Sequence, residues 1–277
     1  MNKIALLVCC LIFSASAFAD ASDIVASNNQ FGIQSISTNV DYTETGNGIF
    51  GTQTGTLDTE TRYVRGFALS ISTMQGPDND YIQARYDHSS GYTNYTGALC
   101  TPSGGCGPYG SYVGTSSAML ANYSARFGKG YAVQDQFMLT PYAEIGHHEW
   151  DRGVNYGETY THFYAGIGVL GQYSPVSKLV LSANAMLGST FRSYITVNSG
   201  PGLNGFSAPL GNSALYKFGV SADYAFTEHF HGNIAADYLS FRYGMSAAYP
   251  VGGGFVAWEP DSKTNYTTIK FGLGYAF

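Results

Sequence analysis

Charge is scarce in this chain. Lys and Arg number 13 and Asp and Glu 19 among 277 residues, for a formal net charge of −6. An acidic chain so poor in cations has no footprint for nucleic acid, whose phosphates call for a basic patch. Long apolar runs are also lacking: beyond the N-terminus none reaches the roughly 20 residues that a spanning helix needs. Cysteine is sparse, with four in all. Cys9 and Cys10 lie in the N-terminal apolar run, whereas Cys100 and Cys106 stand six apart in TPSGGCGPYG. No His or carboxylate neighbours that pair, so neither a metal pair nor a reactive thiol is supported, and a short-loop disulfide of an exported chain is expected. Gly252-Gly253-Gly254 follows no strand-to-helix pattern, which excludes a phosphate-binding loop and leaves a loop tip.

The N-terminus reads as an export signal. Met1-Asn2-Lys3 is a short positive region, Ile4 to Phe13 is apolar, and Ala17-Phe18-Ala19 is a small-x-small cleavage site before Asp20. A lipid anchor on Cys9 or Cys10 fits less well, because both lie inside the apolar run and a regular cleavage site follows. The expected division is therefore a signal peptide at 1–19 and one domain at 20–277. Cleavage removes Lys3 and no acid, moving the formal charge from −6 to −7.

What is abundant is aromatic and small: Tyr 23, Phe 17 and Gly 35. These suit the girdles and crowded walls of a barrel. The organising stretch is KTNYTTIKFGLGYAF, from Lys263 to Phe277. There Ile269, Phe271, Leu273, Tyr275 and Phe277 alternate with Lys270, Gly272, Gly274 and Ala276, a period of two that gives an extended strand one apolar face. A terminal Phe after alternating hydrophobics resembles the closing strand of Gram-negative outer-membrane β-barrel proteins, and the whole chain resembles their small opacity-type and porin-like class. The resemblance implies a cell outer membrane address, insertion through this strand by the barrel-assembly machinery, contact with outer-membrane lipid, and surface loops that meet a host or cell-surface ligand.

Alternation and turn residues predict ten strands: about 31–42, 62–73, 81–90, 114–127, 136–148, 159–173, 178–192, 213–226, 233–245 and the closing one. Connections at 43–61, 91–113, 193–212 and 246–262 are long, 149–158 is intermediate, and 74–80, 128–135, 174–177 and 227–232 are short. Short turns on one side and long loops on the other predict an all-β fold, a closed antiparallel transmembrane β-barrel with periplasmic termini and external loops. In the eighth strand Tyr216, Phe218, Val220, Ala222, Tyr224 and Phe226 oppose Lys217, Gly219, Ser221 and Asp223. The charged side cannot face hydrocarbon, so the apolar side is placed outward. In the ninth strand Asp237 shares a face with Leu239 and Phe241, which calls for a bulge or an inward aromatic face.

This register sends Arg85, Asp87, Arg126, Glu144, Lys217, Asp223 and Lys270 into the lumen. Balanced signs point to a packed network of ion pairs; a charged constriction for small solutes is the alternative, a narrow porin-like channel. Three clusters bear on catalysis. His147 and His148, in Gly146-His147-His148-Glu149-Trp150-Asp151, project to opposite faces; a metal site with His162 rests on spacing alone, the motifs of the ten-stranded omptin proteases are absent, and a solvated interfacial loop edge is expected. His88 and Ser90 share a lipid-directed face, similar to the His-x-Ser site of lipid A deacylases, but Asp87 points the other way. Trp150, Trp258, Tyr92, Tyr95, Tyr109 and Tyr112 are placed at the outer rim, where Tyr with Ser, Gly and Asn also makes adaptable contact loops. The expectation is a monomeric, non-enzymatic surface protein, adhesin-like or envelope-structural, with no cofactor and no metal.

Overall fold

Ten long strands alternate in direction around a closed wall. The computed structural model describes residues 21–49, 53–99 and 106–277; the proposed signal peptide and Cys100 lie outside them. The strands are β1 (Gln30–Asn47), β2 (Thr54–Gln75), β3 (Asp80–Gly97), β4 (Tyr112–Lys129), β5 (Phe137–Arg152), β6 (Glu158–Val176), β7 (Leu179–Val197), β8 (Ala214–Ala225), β9 (Phe230–Tyr243) and β10 (Asp261–Ala276). Each is antiparallel to both neighbours, and β10 closes on β1 from Gln30↔Ala276 to Thr45↔Asp261. Closure leaves no long strand with an unpaired edge. A short helix, α1 (Ala21–Ser27), precedes β1.

The faces follow the alternation. On β8 Tyr216, Phe218 and Val220 are exposed, and on β10 so are Phe271, Leu273 and Tyr275. Ile167 of β6 is 74% exposed while Tyr164 of the same strand is fully buried. A wall with its apolar side out and its polar side in is built for lipid, the reverse of a water-soluble barrel. From Phe163 to Tyr173 on β6 the outward positions stay apolar or small. Ten residues at ~3.3 Å each, tilted by about 40°, rise ~25 Å, the height of the hydrocarbon band. Just above, the outward positions turn polar, with Glu149 paired to Thr161 in register.

The strands continue well beyond that band. Eighteen residues of β1, β3 or β4 span about 45 Å of height on the same geometry. The segments 43–61 and 149–158, expected as loops, are therefore mostly strand: the external connection after β1 is only 48–53, and that after β5 only 153–157. The Thr, Gly and Asn that look loop-like there occupy a ladder standing in water, where no apolar alternation is demanded, and Thr itself favours strands. Long connections remain at 98–111, 198–213 and 244–260. The last holds a small hairpin, Tyr249–Gly252 with Phe255–Ala257, turned by Gly252, Gly253 and Gly254, all at positive φ.

On β9 the pairing with β8 and β10 shows no register shift. No bulge is needed, because Phe241 and Tyr243 point into the barrel, each only 2% exposed.

Candidate functional site: a lumen closed at two levels

The site is built from inward positions, which the strand period delivers to one axis from all ten strands. At the periplasmic end α1 lies in the mouth, with Ile24 buried in the same cluster as Met74, Tyr81, Met138 and Val180. Its C-terminal side is tied to the wall. Asn28 Nδ2 donates to Gln172 Oε1 at 2.7 Å and Asn29 Nδ2 to the Met74 carbonyl at 2.9 Å. Asp23 accepts from Ser174 Oγ at 3.3 Å and from the Lys178 backbone N–H at 3.2 Å.

Above this plug lies a cavity of about 230 Å³, lined by Gln34, Asn122, Asn184 and the charged side chains. Arg85, Asp87, Arg126, Lys217, Asp223 and Lys270 line it, and Glu144 is buried behind Arg126 and Lys217. Arg85 Nε reaches Asp87 at 2.8 Å, and Lys270 Nζ lies 3.6 Å from Asp87 and bonds Asp237. Glu144 accepts from Arg126 Nε at 2.6 Å and from Lys217. Asp223 contacts His231. Opposite charges are thus matched one against another across the barrel, which favours rigidity over selection of one ion sign.

A second closure lies toward the exterior. His148 Nε2 lies 3.2 Å from Tyr266 Oη, and His162 Nδ1 lies 2.7 Å from Tyr243 Oη. Phe241 packs against both imidazoles. On top of these rings, Trp150 stacks on Tyr160 at 5.7 Å and meets Tyr42 edge-on at 5.1 Å. Arg152 caps the layer. Its guanidinium reaches Glu60 at 2.8 Å, Glu158 at 3.1 Å and Asp58 at 3.3 Å, and lies 4.5 Å from the centre of the Tyr42 ring. Glu259, in the connection before β10, bonds Tyr160 Oη and accepts from Tyr42 Oη at 3.3 Å. Burial, reinforced by the Glu158 carboxylate, holds the Glu259 carboxyl well above the usual carboxylate range.

Two expectations are corrected here. Trp150 is not an interfacial rim residue: it is 1% exposed, inside the barrel. Nor is the stretch from Gly146 to Asp151 a solvated loop edge, since β5 runs through it to Arg152 and His148 and Trp150 are buried. The upper cluster of Asp58, Glu60, Arg152, Glu158 and Glu259 is not evident from sequence, because those segments lack the apolar alternation of a lipid-crossing strand. The available signal was parity: Asp58 and Glu60 fall on the same face as Val64 and Ala68.

The catalytic alternatives do not assemble. His147 lies against Phe163 on the outer face while His148 and His162 face the lumen. Among the described residues no group of three His, Cys, Asp or Glu could hold a metal ion. His88 stands on the lipid side between Phe67 and Tyr86, and Asp87 is held on the opposite face by Arg85. At the rim Tyr92, Tyr109 and Tyr112 are exposed, and Tyr95 and Trp258 are half-buried. Cys106 is disulfide-bonded.

Neither a family model nor a curated protein matches this chain. Among solved structures, the outer membrane protease OmpT from Escherichia coli matches with a TM-score of 0.60 at 12% identity, over 91% of this chain and 98% of that one. The translocator domain of the autotransporter NalP from Neisseria meningitidis covers 93% and 92% at 11% identity, with a TM-score of 0.43. Ail, the attachment invasion locus protein of Yersinia pestis, covers 90% and 99% at 11% identity and 0.34. The first shares the fold; the other two superpose too loosely to add to it. Wall, belt and fold define the class: an integral β-barrel protein of the Gram-negative outer membrane, with extracellular connections exposed at the cell surface. Within that class this is a ten-stranded barrel whose lumen is closed at two levels.

Proposed function

We propose that the protein is a monomeric, non-enzymatic surface barrel of the small opacity-type class, inserted through β10 by the barrel-assembly machinery and acting through its extracellular connections on a host or cell-surface ligand. The observation that carries this reading is the double closure. With α1 below and the Arg152-capped aromatic layer above, the barrel serves as a rigid post, and its accessible chemistry is the rim, rich in Tyr and in polar uncharged side chains. Bacteria expressing the full chain adhere to host cells or to an immobilised surface, and shortening 98–111 or 244–260 abolishes this while the barrel still folds. Adhesion equal to that of a strain lacking the protein would refute the proposal.

A narrow channel is the second reading, favoured by the polar cavity between the plugs. It requires discrete conductance steps from the purified protein in a planar bilayer; a silent bilayer removes it. A lipid-directed or proteolytic activity requires loss on His88→Ala or His148→Ala with the barrel intact.

A further inference from the structure

Between Ser89 and Ala125 the chain contains no Asp, Glu, Lys or Arg. This is the upper half of the β3–β4 hairpin, which rises above the belt: Ser90 pairs with Met119, itself level with the outward Asp151. The hairpin carries an arrangement of rings that the sequence alone does not suggest. Tyr95 pairs with Gly114, and Gly97 with Tyr112. Each tyrosine therefore faces a glycine across the ladder and has another glycine two residues along its own strand.

The rings use that space. A Cβ at Gly97 would lie 2.2 Å from Tyr95 Oη, and one at Gly114 would lie 2.9 Å from Tyr112 Oη. Both rings thus lie down along the strand instead of standing away from it. They sit 5.9 Å apart, inclined at 53°, and form a shallow V. Tyr112 is 46% exposed. The turn above them is pinned from the outer side: Tyr109 Oη shares a hydrogen bond of 3.0 Å with Thr59 Oγ1, an outward position of β2, and the backbone of Gly110 donates to the Gly97 carbonyl at 2.9 Å. Tyr95 falls on the same face as Thr93, whose hydroxyl bonds Glu60, so the V looks over the mouth of the barrel.

We propose that this face binds an uncharged carbohydrate chain. The inference rests on the surface-interaction reading and names the chemistry of its partner. Flat, fixed aromatic faces carry negative charge density that attracts the C–H faces of sugar rings, and the surrounding Thr, Ser and Asn offer hydroxyls and amides to sugar hydroxyls. No charged side chain stands on this upper half of the hairpin to match an ionic ligand. The mouth below holds more carboxylates than its single Arg152 balances, which repels polyanions. A protein partner would instead seek a pocket for a buried anchor, and a shallow V provides none.

The test uses the full barrel purified in detergent, with maltoheptaose, cellohexaose, chitohexaose and lacto-N-tetraose as probes and heparin as the charged control. Binding is read by saturation-transfer NMR and tyrosine fluorescence, and folding by heat-modifiable electrophoretic migration. At least one neutral chain binds. Tyr112→Ala lowers its affinity about tenfold, the loss of one stacking contact. Tyr112→Phe retains binding, and Val113→Ala, whose side chain alternates to the outward face, leaves it unchanged. Gly114→Val keeps the tyrosine but lifts its ring, and it weakens binding as Tyr112→Ala does. Binding to none of the four chains, binding to heparin alone, or wild-type affinity in a folded Gly114→Val overturns the proposal. Loop-dependent adhesion that survives periodate oxidation of the target surface overturns the carbohydrate assignment alone, whereas absent adhesion overturns the surface-interaction reading.

Discussion

Arg152→Met tests the upper closure most directly. The wild-type guanidinium lies within 3.3 Å of oxygens from three carboxylates, Glu60, Glu158 and Asp58, all buried. Methionine keeps much of the volume and the packing against Tyr42 and Trp150 but removes the charge. Three acids then share a closed space with no cation. Breaking a buried pair by deleting one partner costs about 3–5 kcal/mol, because the remaining charge stays desolvated. With a urea m-value of about 2 kcal/mol/M, the unfolding midpoint falls by about 2 M. The assay is equilibrium urea unfolding in lipid vesicles, followed by Trp fluorescence. Arg152→Lys, a point charge without the planar fork, falls between the two. Adding Glu60→Gln to Arg152→Met returns about 1–2 kcal/mol, although Glu60→Gln alone destabilises. A loss below about 1 kcal/mol in Arg152→Met, or no recovery in the double variant, would show that the cluster is hydrated and that the closure does not depend on it.

Further expectations follow from the same geometry. A carboxyl whose folded pKa is raised contributes stability below its unfolded value and loses it as pH rises through the folded one. The Glu259 carboxyl is raised, so wild-type stability declines as pH climbs above the ordinary glutamate range. Glu259→Gln flattens that decline in a pH series of unfolding curves; an unchanged slope would place the decline elsewhere. Ile167→Arg, in the middle of the lipid face, costs about 2–4 kcal/mol, whereas Asn265→Arg, above the belt, costs less than about 1 kcal/mol in the same assay. Equal effects would refute the position of the belt. Lys270→Met strands Asp237 in the lumen, Asp87 keeping its pair with Arg85, and lowers stability by about 2 kcal/mol, and Asp237→Asn in that background restores part of it. An additive loss in the double variant would mean that the two side chains do not interact.

Much of this was legible in the residues themselves, and the limit has a physical cause. Wherever a strand crosses lipid, each second side chain must be apolar, and the pattern from Ile269 to Phe277 or from Tyr216 to Phe226 therefore declares both the strand and its faces. Charges that break such a pattern have one refuge, so the inward placement of Lys217, Glu144 and Arg126 follows from local sequence. Which oxygen meets which nitrogen does not: Lys217 and Glu144 are far apart in the chain and come together only when the wall closes. Above the membrane the constraint lapses, since a strand standing in water can carry Thr, Gly, Asn or Glu on either face. That is why 43–61 and 149–158 resemble loops in sequence, and why Asp58, Glu60, Arg152 and Glu158 do not declare themselves as one cluster. The sequence by itself determined a barrel, its address and its two faces, because the bilayer enforces a period of two. Only the tertiary structure decided that the lumen is closed, that Trp150 belongs inside it, and that Tyr95 and Tyr112 lie flat on glycines, because those contacts join strands whose register no local pattern encodes.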